Sequence, residues 1–173
     1  MPPGLTIRDG TPVDAGRLTA IFLAARAGMP YLPRLHTDAE TRWWMENVVL
    51  AGHAVRVAEA AGAATGFSAR SGDLLAHLYV DPAAQGAGIG SALLADARRA
   101  MPALRLFVFA ANDGAFRLYR RHGFAVVGRS DGSRNEERLP DVEMTWTASA
   151  RHTGVTRACY LGSADRGTGT THE

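Results

Sequence analysis

The spacing of apolar residues changes several times along the first 148 residues, and each spacing predicts a strand or a helix. A nearly continuous apolar run from Leu74 to Val80 is typical of a buried strand. Apolar residues three or four positions apart predict amphipathic helices. These helices begin near Thr11, Thr37, Ser91 and Ala115. Because strands and helices follow one another in mixed order, the pattern predicts an α/β (α+β) domain.

Six further segments rich in apolar and β-branched residues predict a mixed central sheet of six to seven strands flanked by helices. They are Leu5–Arg8, Ala54–Ala58, Thr65–Arg70, Leu104–Phe109, Phe124–Val127 and Val142–Thr147. The second and third of them flank a turn that contains Gly62, and they predict an antiparallel hairpin. The first helix is expected to carry Val13, Leu18 and Ile21 on its apolar face.

The composition changes at Ser149. From there to Glu173 the chain is rich in Gly, Thr, Ser and Arg and has few large apolar residues. A segment of this composition buries too little apolar surface to form a core of its own. We therefore expect one domain over residues 1–148 and a polar C-terminal tail over residues 149–173.

The overall composition is that of a globular protein and argues against several kinds of partner. Hydrophobic residues make up 46% of the 173 residues, but no apolar run approaches the roughly 20 residues that cross a membrane. The net charge is only +2, and no arginine cluster is interleaved with aromatic residues, so no nucleic-acid partner is expected. The first residues lack the pattern of a secretory signal, and the single Cys159 has no internal disulfide partner. We therefore expect a cytoplasmic protein.

A glycine-rich turn with the spacing Gln85-x-x-Gly88-x-Gly90 leads from the strand Leu74–Val80 into the helix near Ser91. The first N–H groups of a helix lack partners, the helix dipole favours negative charge, and glycine lets an anion approach the backbone. The turn therefore predicts an anion-binding site. Two other phosphate-binding motifs do not fit this turn. A Walker loop would need a lysine after its last glycine, but Ser91 stands there and all 19 basic residues of the chain are arginine. A dinucleotide fingerprint would need a third glycine at the position of Ser91.

A second motif follows the next predicted strand, from Asn112 to Phe124, and includes Ala115, Tyr119 and Gly123. Together with the glycine-rich turn, it resembles the paired motifs of the GNAT superfamily of N-acetyltransferases. The two motifs occur in the order and on the elements where that family has them. The resemblance implies the GNAT acyl-CoA N-acyltransferase fold, acetyl-CoA as cosubstrate and no metal.

The resemblance also implies which residues bind the cofactor. The edge of the central strand would contact the pantetheine arm as an added strand does, and the N–H groups of the turn would hold the pyrophosphate. The residues are Leu78, Tyr79, Val80, Gln85, Gly86, Ala87, Gly88, Ile89, Gly90, Ser91, Asn112, Ala115, Arg117 and Tyr119. A basic side chain is common in the family where this chain has Gly86 and Ala87, so we expect backbone rather than side-chain contacts to phosphate there.

Two residues are candidates for proton transfer. Tyr119 matches the family's motif and would act as the general acid for the departing thiolate, because a phenol has a pKa of about 10. The general base of relatives often lies where this chain has Leu74 and Ala76, which cannot accept a proton. Their neighbour His77 is a tentative base, although strand alternation turns it to the opposite face unless the strand is bulged. A packing role for His77 and a reaction without a protein base both stay open.

The acceptor is expected to bind near Tyr31, Trp43 and Glu136, which lie in the variable parts of the chain. Core packing of the tryptophan and simple hydration of the carboxylate are the alternatives. We expect direct transfer of an acetyl group to a primary amine on a small molecule. A protein or peptide acceptor and a non-catalytic acetyl-CoA-binding regulatory module are the alternative functions, and a homodimer is possible.

Overall fold

The computed structural model describes residues 4–148. The division into a domain (1–148) and a tail (149–173) stays a prediction, because residues 149–173 lie outside the described residues. Among residues 4–148, no helix has both the length and the apolarity that a membrane span requires.

A seven-stranded sheet forms the centre of the domain. Its strands are β1 (Leu5–Asp9), β2 (Ala54–Ala60), β3 (Ala63–Ser71), β4 (Leu74–Val80), β5 (Ala103–Phe109), β6 (Ala125–Ser130) and β7 (Asp141–Thr147). They lie in the order β1-β2-β3-β4-β5-β7-β6, and neighbours are antiparallel except for the parallel pair β4 and β5. The predicted fold class, the hairpin and the upper strand count are confirmed.

The helices cover both faces of this sheet. They are α1 (Ala15–Ala27), α2 (Asp38–Trp44), α3 (Leu50–Gly52), α4 (Ile89–Ala100) and α5 (Asp113–Arg121), with a π-helical turn (Met45–Val49) joining α2 to α3. On one face, α1 and the π-helical turn pack Leu18, Ile21 and Met45 against Phe67. On the other face, α4 and α5 pack against β5 and β7. Each fully buried aliphatic side chain of these layers contributes about 1.5–3 kcal/mol to folding.

Two helix starts differ from the sequence-based expectation. Pro12–Asp14 forms a short 3-10 turn before α1, which leaves Val13 93% exposed rather than on the apolar face. Helix α4 begins at Ile89, two residues before Ser91, because Gly88 adopts a left-handed conformation (φ +79°) at the N-cap. The turn is therefore shorter than predicted, and its glycines lie directly against the first turn of the helix.

The strands β4 and β5 separate almost as soon as they meet. Their only pairing in residues 4–148 is Leu74 with Arg105, so the rest of the β4 edge that faces β5 has no neighbouring strand. An open strand edge offers unpaired N–H and C=O groups to a ligand. This divergence opens a cleft in the middle of the sheet.

A β-bulge in β4 decides which side chains face each layer. Ala69 pairs with His77 and Arg70 with Leu75, so Ala76 is an extra residue without an opposite partner. Leu75 and Leu78, three residues apart, consequently both pack on the α4–α5 side. Strand alternation was expected to fix the side of His77 unless β4 carried a bulge, and this bulge is present. The ring of His77 lies on the α1–α2 side of the sheet.

Candidate active site

The cleft between β4 and β5 has a volume of about 630 Å³ and runs from the glycine-rich turn to the end of α1. Eleven of the residues predicted to bind the cofactor line it: Leu78, Tyr79, Val80, Gln85, Gly86, Gly88, Ile89, Gly90, Ser91, Asn112 and Ala115. The turn and the second motif therefore meet at one site, as the two motifs predicted. The cofactor contacts themselves stay predictions.

The glycine-rich end of the cleft presents backbone donors. The first helical N–H with a partner in α4 belongs to Ala92 and donates to Gly88 O at 3.0 Å, which leaves the N–H groups of Ile89, Gly90 and Ser91 at the open end of the helix. The Ile89 side chain is 4% exposed and packs in the core, so only its backbone is available. The arrangement suits an anion with several oxygen atoms.

Asn112 links the start of α5 to Met29 at the end of α1. Its Oδ1 accepts the Ala115 N–H at 3.0 Å and caps α5. Its Nδ2 lies 4.0 Å from Met29 Sδ, which is a weak acceptor. The carbonyl oxygen of the Asn112 side chain therefore organises the helix, and its NH₂ group remains a donor on the cleft wall.

Tyr79 lines the cleft and influences the ionisation of two further tyrosines, Tyr31 and Tyr119; we call these three the tyrosine cluster. Burial raises the pKa of Tyr79, with a partial offset from the positive charge of Arg26. Burial and the neighbouring Tyr79 raise the pKa of Tyr31 and of Tyr119. The Tyr31 hydroxyl is buried and has no hydrogen-bond partner among residues 4–148, so it is free to serve a ligand.

Tyr119 is the most deeply buried member of this cluster. The residue is 7% exposed and packs against Phe124, with the ring centroids 5.7 Å apart. Its helix neighbours Ala115 and Leu118 line the cleft, and Tyr119 itself is not among the lining residues. Because burial raises its pKa, the phenol stays protonated throughout the neutral range, as a general acid must. Its role as the general acid stays a prediction.

His77 packs among aromatic rings rather than on the cleft wall. Its ring centroid is 5.1 Å from that of Trp44 and 6.0 Å from that of His53. Burial, with the charges of His53 and Arg26, lowers the pKa of His77 to about 4. The imidazole is therefore neutral at pH 7, but it is a weak acceptor for a proton from an ammonium group, whose pKa is about 10.

Arg26 and Glu137 form an ion pair at 2.8 Å beside the tyrosine cluster, with side chains 20% and 15% exposed. Burial by itself would lower the pKa of Arg26, but the interactions with Tyr79 and Glu137 outweigh burial and raise this pKa above its ordinary value. Both residues line a second cavity of about 520 Å³ under the loop between α1 and α2, and Met29 lines both this cavity and the cleft. No local pattern pointed to Arg26, because its partner lies 111 residues away in the chain.

The residues predicted for the acceptor are not brought together. Tyr31 lies in the tyrosine cluster, but Trp43 is 62% exposed on α2 and Trp44 packs inward instead. Glu136 pairs with the exposed His36 at 2.7 Å. The prediction of Trp43 and Glu136 as lining residues thus finds no support in their positions, since adjacent helix residues point about 100° apart and only one tryptophan faces the sheet.

Three predicted cofactor residues, Ala87, Arg117 and Tyr119, do not line the cleft, and other lining residues were missed. Ala87 is an exposed loop residue, and Arg117 lies on the outer side of α5. The cleft is instead completed by Ala25, Gly28 and Met29 from the end of α1 and by Arg121 from α5. Within the described range, no group of three or more His, Cys, Asp or Glu side chains could hold a metal ion.

A family model for the acetyltransferase (GNAT) domain matches residues 46–126, which include the β4 edge, the glycine-rich turn and Asn112. The solution structure of apo-form YjaB from Escherichia coli superimposes with a TM-score of 0.68 and 25% identity, covering 82% of this chain and 97% of YjaB. Residues 46–126 of the chain belong to the GNAT family. The structure of yncA from Salmonella typhimurium with its cofactor acetyl-CoA is also similar to this GNAT chain, with a TM-score of 0.63 and 26% identity over 83% of this chain and 93% of yncA.

Two curated relatives share shorter segments of sequence with this chain. YjaB of Escherichia coli (strain K12), named a peptidyl-lysine N-acetyltransferase, is 36% identical over 66 residues, or 38% of this chain and 45% of YjaB. YwnH of Bacillus subtilis (strain 168), which carries the name phosphinothricin acetyltransferase, is 38% identical over 60 residues, or 32% of this chain and 37% of YwnH. The chain thus matches less than half the length of either relative, and their names indicate different acceptors.

Proposed function

We propose that this GNAT protein is an N-acetyltransferase that moves an acetyl group from acetyl-CoA directly to a primary amine of a small molecule. One observation carries the proposal. A single cleft is lined by the start of α4 with its free N–H groups, by the open edge of β4 and by Tyr79. The chemistry of this cleft suits a diphosphate at the helix start and an amide-bearing arm along the strand edge, with the thioester beyond them.

The residues that line the cleft offer the hydrogen-bonding groups that acetyl-CoA needs. The N–H groups of Ile89, Gly90 and Ser91 would hold the pyrophosphate, and the open β4 edge at Leu78 and Val80 would accept and donate the amide hydrogen bonds of the arm. The cosubstrate supplies a thioester, which is the activated acyl group of the reaction. The structural neighbour yncA, solved with acetyl-CoA, supports the same assignment.

The proton balance of the reaction assigns a role to Tyr119. A bond forms between the amine nitrogen and the acetyl carbon, the carbon–sulfur bond breaks, the amine loses one proton and the thiolate gains one. Tyr119 would donate the proton to sulfur, because its phenol carries a proton throughout the neutral range and its hydroxyl makes no side-chain hydrogen bond found within residues 4–148; it would then regain a proton from solvent. The backbone of the β4 bulge would orient the thioester carbonyl.

The proton lost by the amine has no strong acceptor among the candidate residues. Leu74 and Ala76 cannot accept one, and the low pKa of His77 makes it a weak base. We therefore propose that the amine enters in its neutral form or passes its proton to water. His77 is the imidazole of β4 that could assist, and its ring centroid lies 6.3 Å from that of Tyr79.

A small acceptor fits the site better than a protein surface. The cavity under the α1–α2 loop has a volume of about 520 Å³, within the range of small-molecule sites, and it contains the Arg26–Glu137 pair. The name of YjaB makes a peptidyl-lysine acceptor the second candidate. The lack of a strong base among the candidate residues motivates a third candidate, a regulatory module that binds acetyl-CoA without turnover.

Thiol release with a panel of amines separates the three candidates. The panel contains amino acids, polyamines, aromatic amines and a lysine-containing peptide, and the product is identified by the mass of one added acetyl group. We expect release with a small amine and its loss in Tyr119→Phe. Release only with the peptide would select the second candidate. Binding of acetyl-CoA by calorimetry without release for any acceptor would select the third, and failure to bind acetyl-CoA would refute the proposal.

A further inference from the structure

Four charged residues line the cavity under the α1–α2 loop, and they form two ion pairs of different exposure. Arg34 and Asp38 pair at 2.9 Å, with side chains 76% and 69% exposed. Arg26 and Glu137 pair at 2.8 Å, and both side chains are largely buried. The other lining residues are mostly apolar. A ligand inside this cavity therefore meets one buried cation and one buried anion, and the exposed pair remains hydrated.

The Arg26 guanidinium is held in one position but keeps donors for a ligand. Its central carbon lies 5.3 Å from the centroid of the Phe22 ring, one turn earlier on α1, and its Nη2 donates to Glu137 Oε1 at 2.8 Å. A guanidinium carries five N–H donors in a planar fork. Within residues 4–148, no carboxylate accepts a hydrogen bond from its Nε or Nη1, so these donors remain for the oxygen atoms of a ligand.

Glu137 is presented by the loop between β6 and β7, which is closed by its own hydrogen bonds. Asn135 Nδ2 donates to Leu139 O at 2.7 Å and to Asp141 Oδ2 at 2.8 Å, and Asn135 Oδ1 accepts the Leu139 N–H at 3.2 Å. These bonds fix the loop without the ion pair to Arg26. In the described part of the chain Glu137 Oε2 accepts no hydrogen bond, so one oxygen atom of the carboxylate is available to a ligand.

The ion pair lies next to residues that border the cofactor cleft. The positive charge of Arg26 partly offsets the rise in the pKa of Tyr79 that burial causes, which places the guanidinium near the Tyr79 phenol. Tyr79 lines the cleft, and Met29 lines both the cleft and the cavity. A ligand held by the pair is therefore adjacent to the wall that the two sites share.

A buried cation beside a buried anion suits a ligand that carries both a carboxylate and an amino group. The carboxylate takes the paired donors of Arg26, and the amino group donates a hydrogen bond to Glu137, which leaves the nitrogen lone pair available for attack. An amine without a carboxylate would leave the donors of Arg26 buried and unpaired, which is costly. A polyamine adds a second positive charge beside Arg26, and the lysine side chain of a peptide has no carboxylate near its amino group.

We propose that the acceptor is an α-amino acid with an apolar side chain, which binds through its carboxylate to Arg26 and through its amino group to Glu137. The inference rests on the proposed function and names the acceptor class of the same transfer. The apolar side chain would pack against Leu23, Ala27 and Leu32, which line the cavity. Arg26 is thus the residue that selects the acceptor, and Glu137 orients its amine.

The first arm of the test measures kcat/KM for two amino acids and for the amines that lack their carboxylate. Leucine is compared with 3-methylbutylamine and phenylalanine with 2-phenylethylamine, and each rate constant is referred to the concentration of neutral amine. We expect the wild type to prefer each amino acid by about 10–100-fold, the effect of one charge-assisted hydrogen bond.

Variants separate recognition of the carboxylate from a merely structural role. Arg26→Gln should lower kcat/KM for the amino acids alone and so remove the preference. Arg42→Gln, the matched control in the exposed pair of Arg42 with Glu46, should keep it. Glu137→Gln should lower kcat/KM for both members of each pair. If Arg26→Gln unfolds, Arg26→Lys keeps the charge, loses the paired donors and should keep only part of the preference.

The second arm titrates leucine and phenylalanine into the protein, with and without coenzyme A, and follows binding by calorimetry. Binding that Arg26→Gln removes and Arg42→Gln keeps supports the site even if no acetyl group is transferred, and in that case the proposed function alone fails. Equal kcat/KM for the amino acids and their amines, or equal behaviour of Arg26→Gln and Arg42→Gln in both arms, overturns the inference and leaves the proposed function standing. Neither binding nor transfer with either amino acid also overturns it.

Discussion

The conformation of Gly88 makes the sharpest test of the cofactor end of the cleft. Gly88 is the N-cap of α4 with φ +79° and lines the cleft. Gly62, in the β2–β3 hairpin, has φ +77°, and a Cβ added there would meet nothing within 4 Å; it does not line the cleft. Alanine at either position therefore meets a similar backbone penalty, but only Gly88→Ala adds a methyl group to a residue that lines the cleft.

The expected magnitudes follow from this geometry. The left-handed conformation costs an L-residue about 1–2 kcal/mol, which lowers the unfolding temperature by roughly 2–8 °C in both variants. If the added methyl displaces the pyrophosphate from two of the N–H groups of Ile89, Gly90 and Ser91, two charge-assisted hydrogen bonds worth about 1.5–3 kcal/mol each are lost. The dissociation constant of coenzyme A should then rise by about 10²–10⁴-fold in Gly88→Ala alone.

Calorimetric titration with coenzyme A and thermal unfolding, run on both variants, provide the measurements. Gly88→Val should bind no coenzyme at accessible concentrations, and Gly62→Val should bind it like the wild type. If Gly88→Ala and Gly62→Ala bind coenzyme A equally well, the phosphate does not rest on this turn, and the orientation proposed for the cosubstrate is wrong.

Three further predictions concern the remainder of the domain. Tyr119→Phe should lower kcat by about 10²-fold with an unchanged dissociation constant for acetyl-CoA; equal losses in both would make the residue structural. The pKa of His77 is lowered to about 4 in the folded chain. Between pH 6.5 and 4, the unfolded chain therefore binds a proton at this residue and the folded chain does not. Stability should therefore fall as the pH falls, by up to about 3 kcal/mol, and His77→Phe should flatten the profile of unfolding temperature; an unaltered profile would contradict this. The Thr37 hydroxyl accepts the Glu40 N–H at 3.2 Å, so Thr37→Ala should cost about 1 kcal/mol in denaturant unfolding and Thr37→Ser should restore it.

The sequence by itself determined the parts of the site that depend on neighbours in the chain. Asp81-Pro82 ends β4, the glycines permit positive φ in the turn, and Asn112 caps the helix that follows it. Each of these features is specified within a few residues, because turn conformations and caps are short-range. For that reason the positions of the strands, the turn and both motifs could be predicted closely, and most predicted cofactor residues lie on one cleft.

Only the tertiary structure decided how the two halves of the sheet separate and what faces the acceptor end. The bulge at Ala76 sets the side on which His77 lies, and the pairing of Arg26 with Glu137 joins segments 111 residues apart. The choice of Trp44 over Trp43 as the inward residue depends on how α2 packs against the sheet. These features depend on register and packing between distant segments, which the local pattern of apolar and polar residues does not encode.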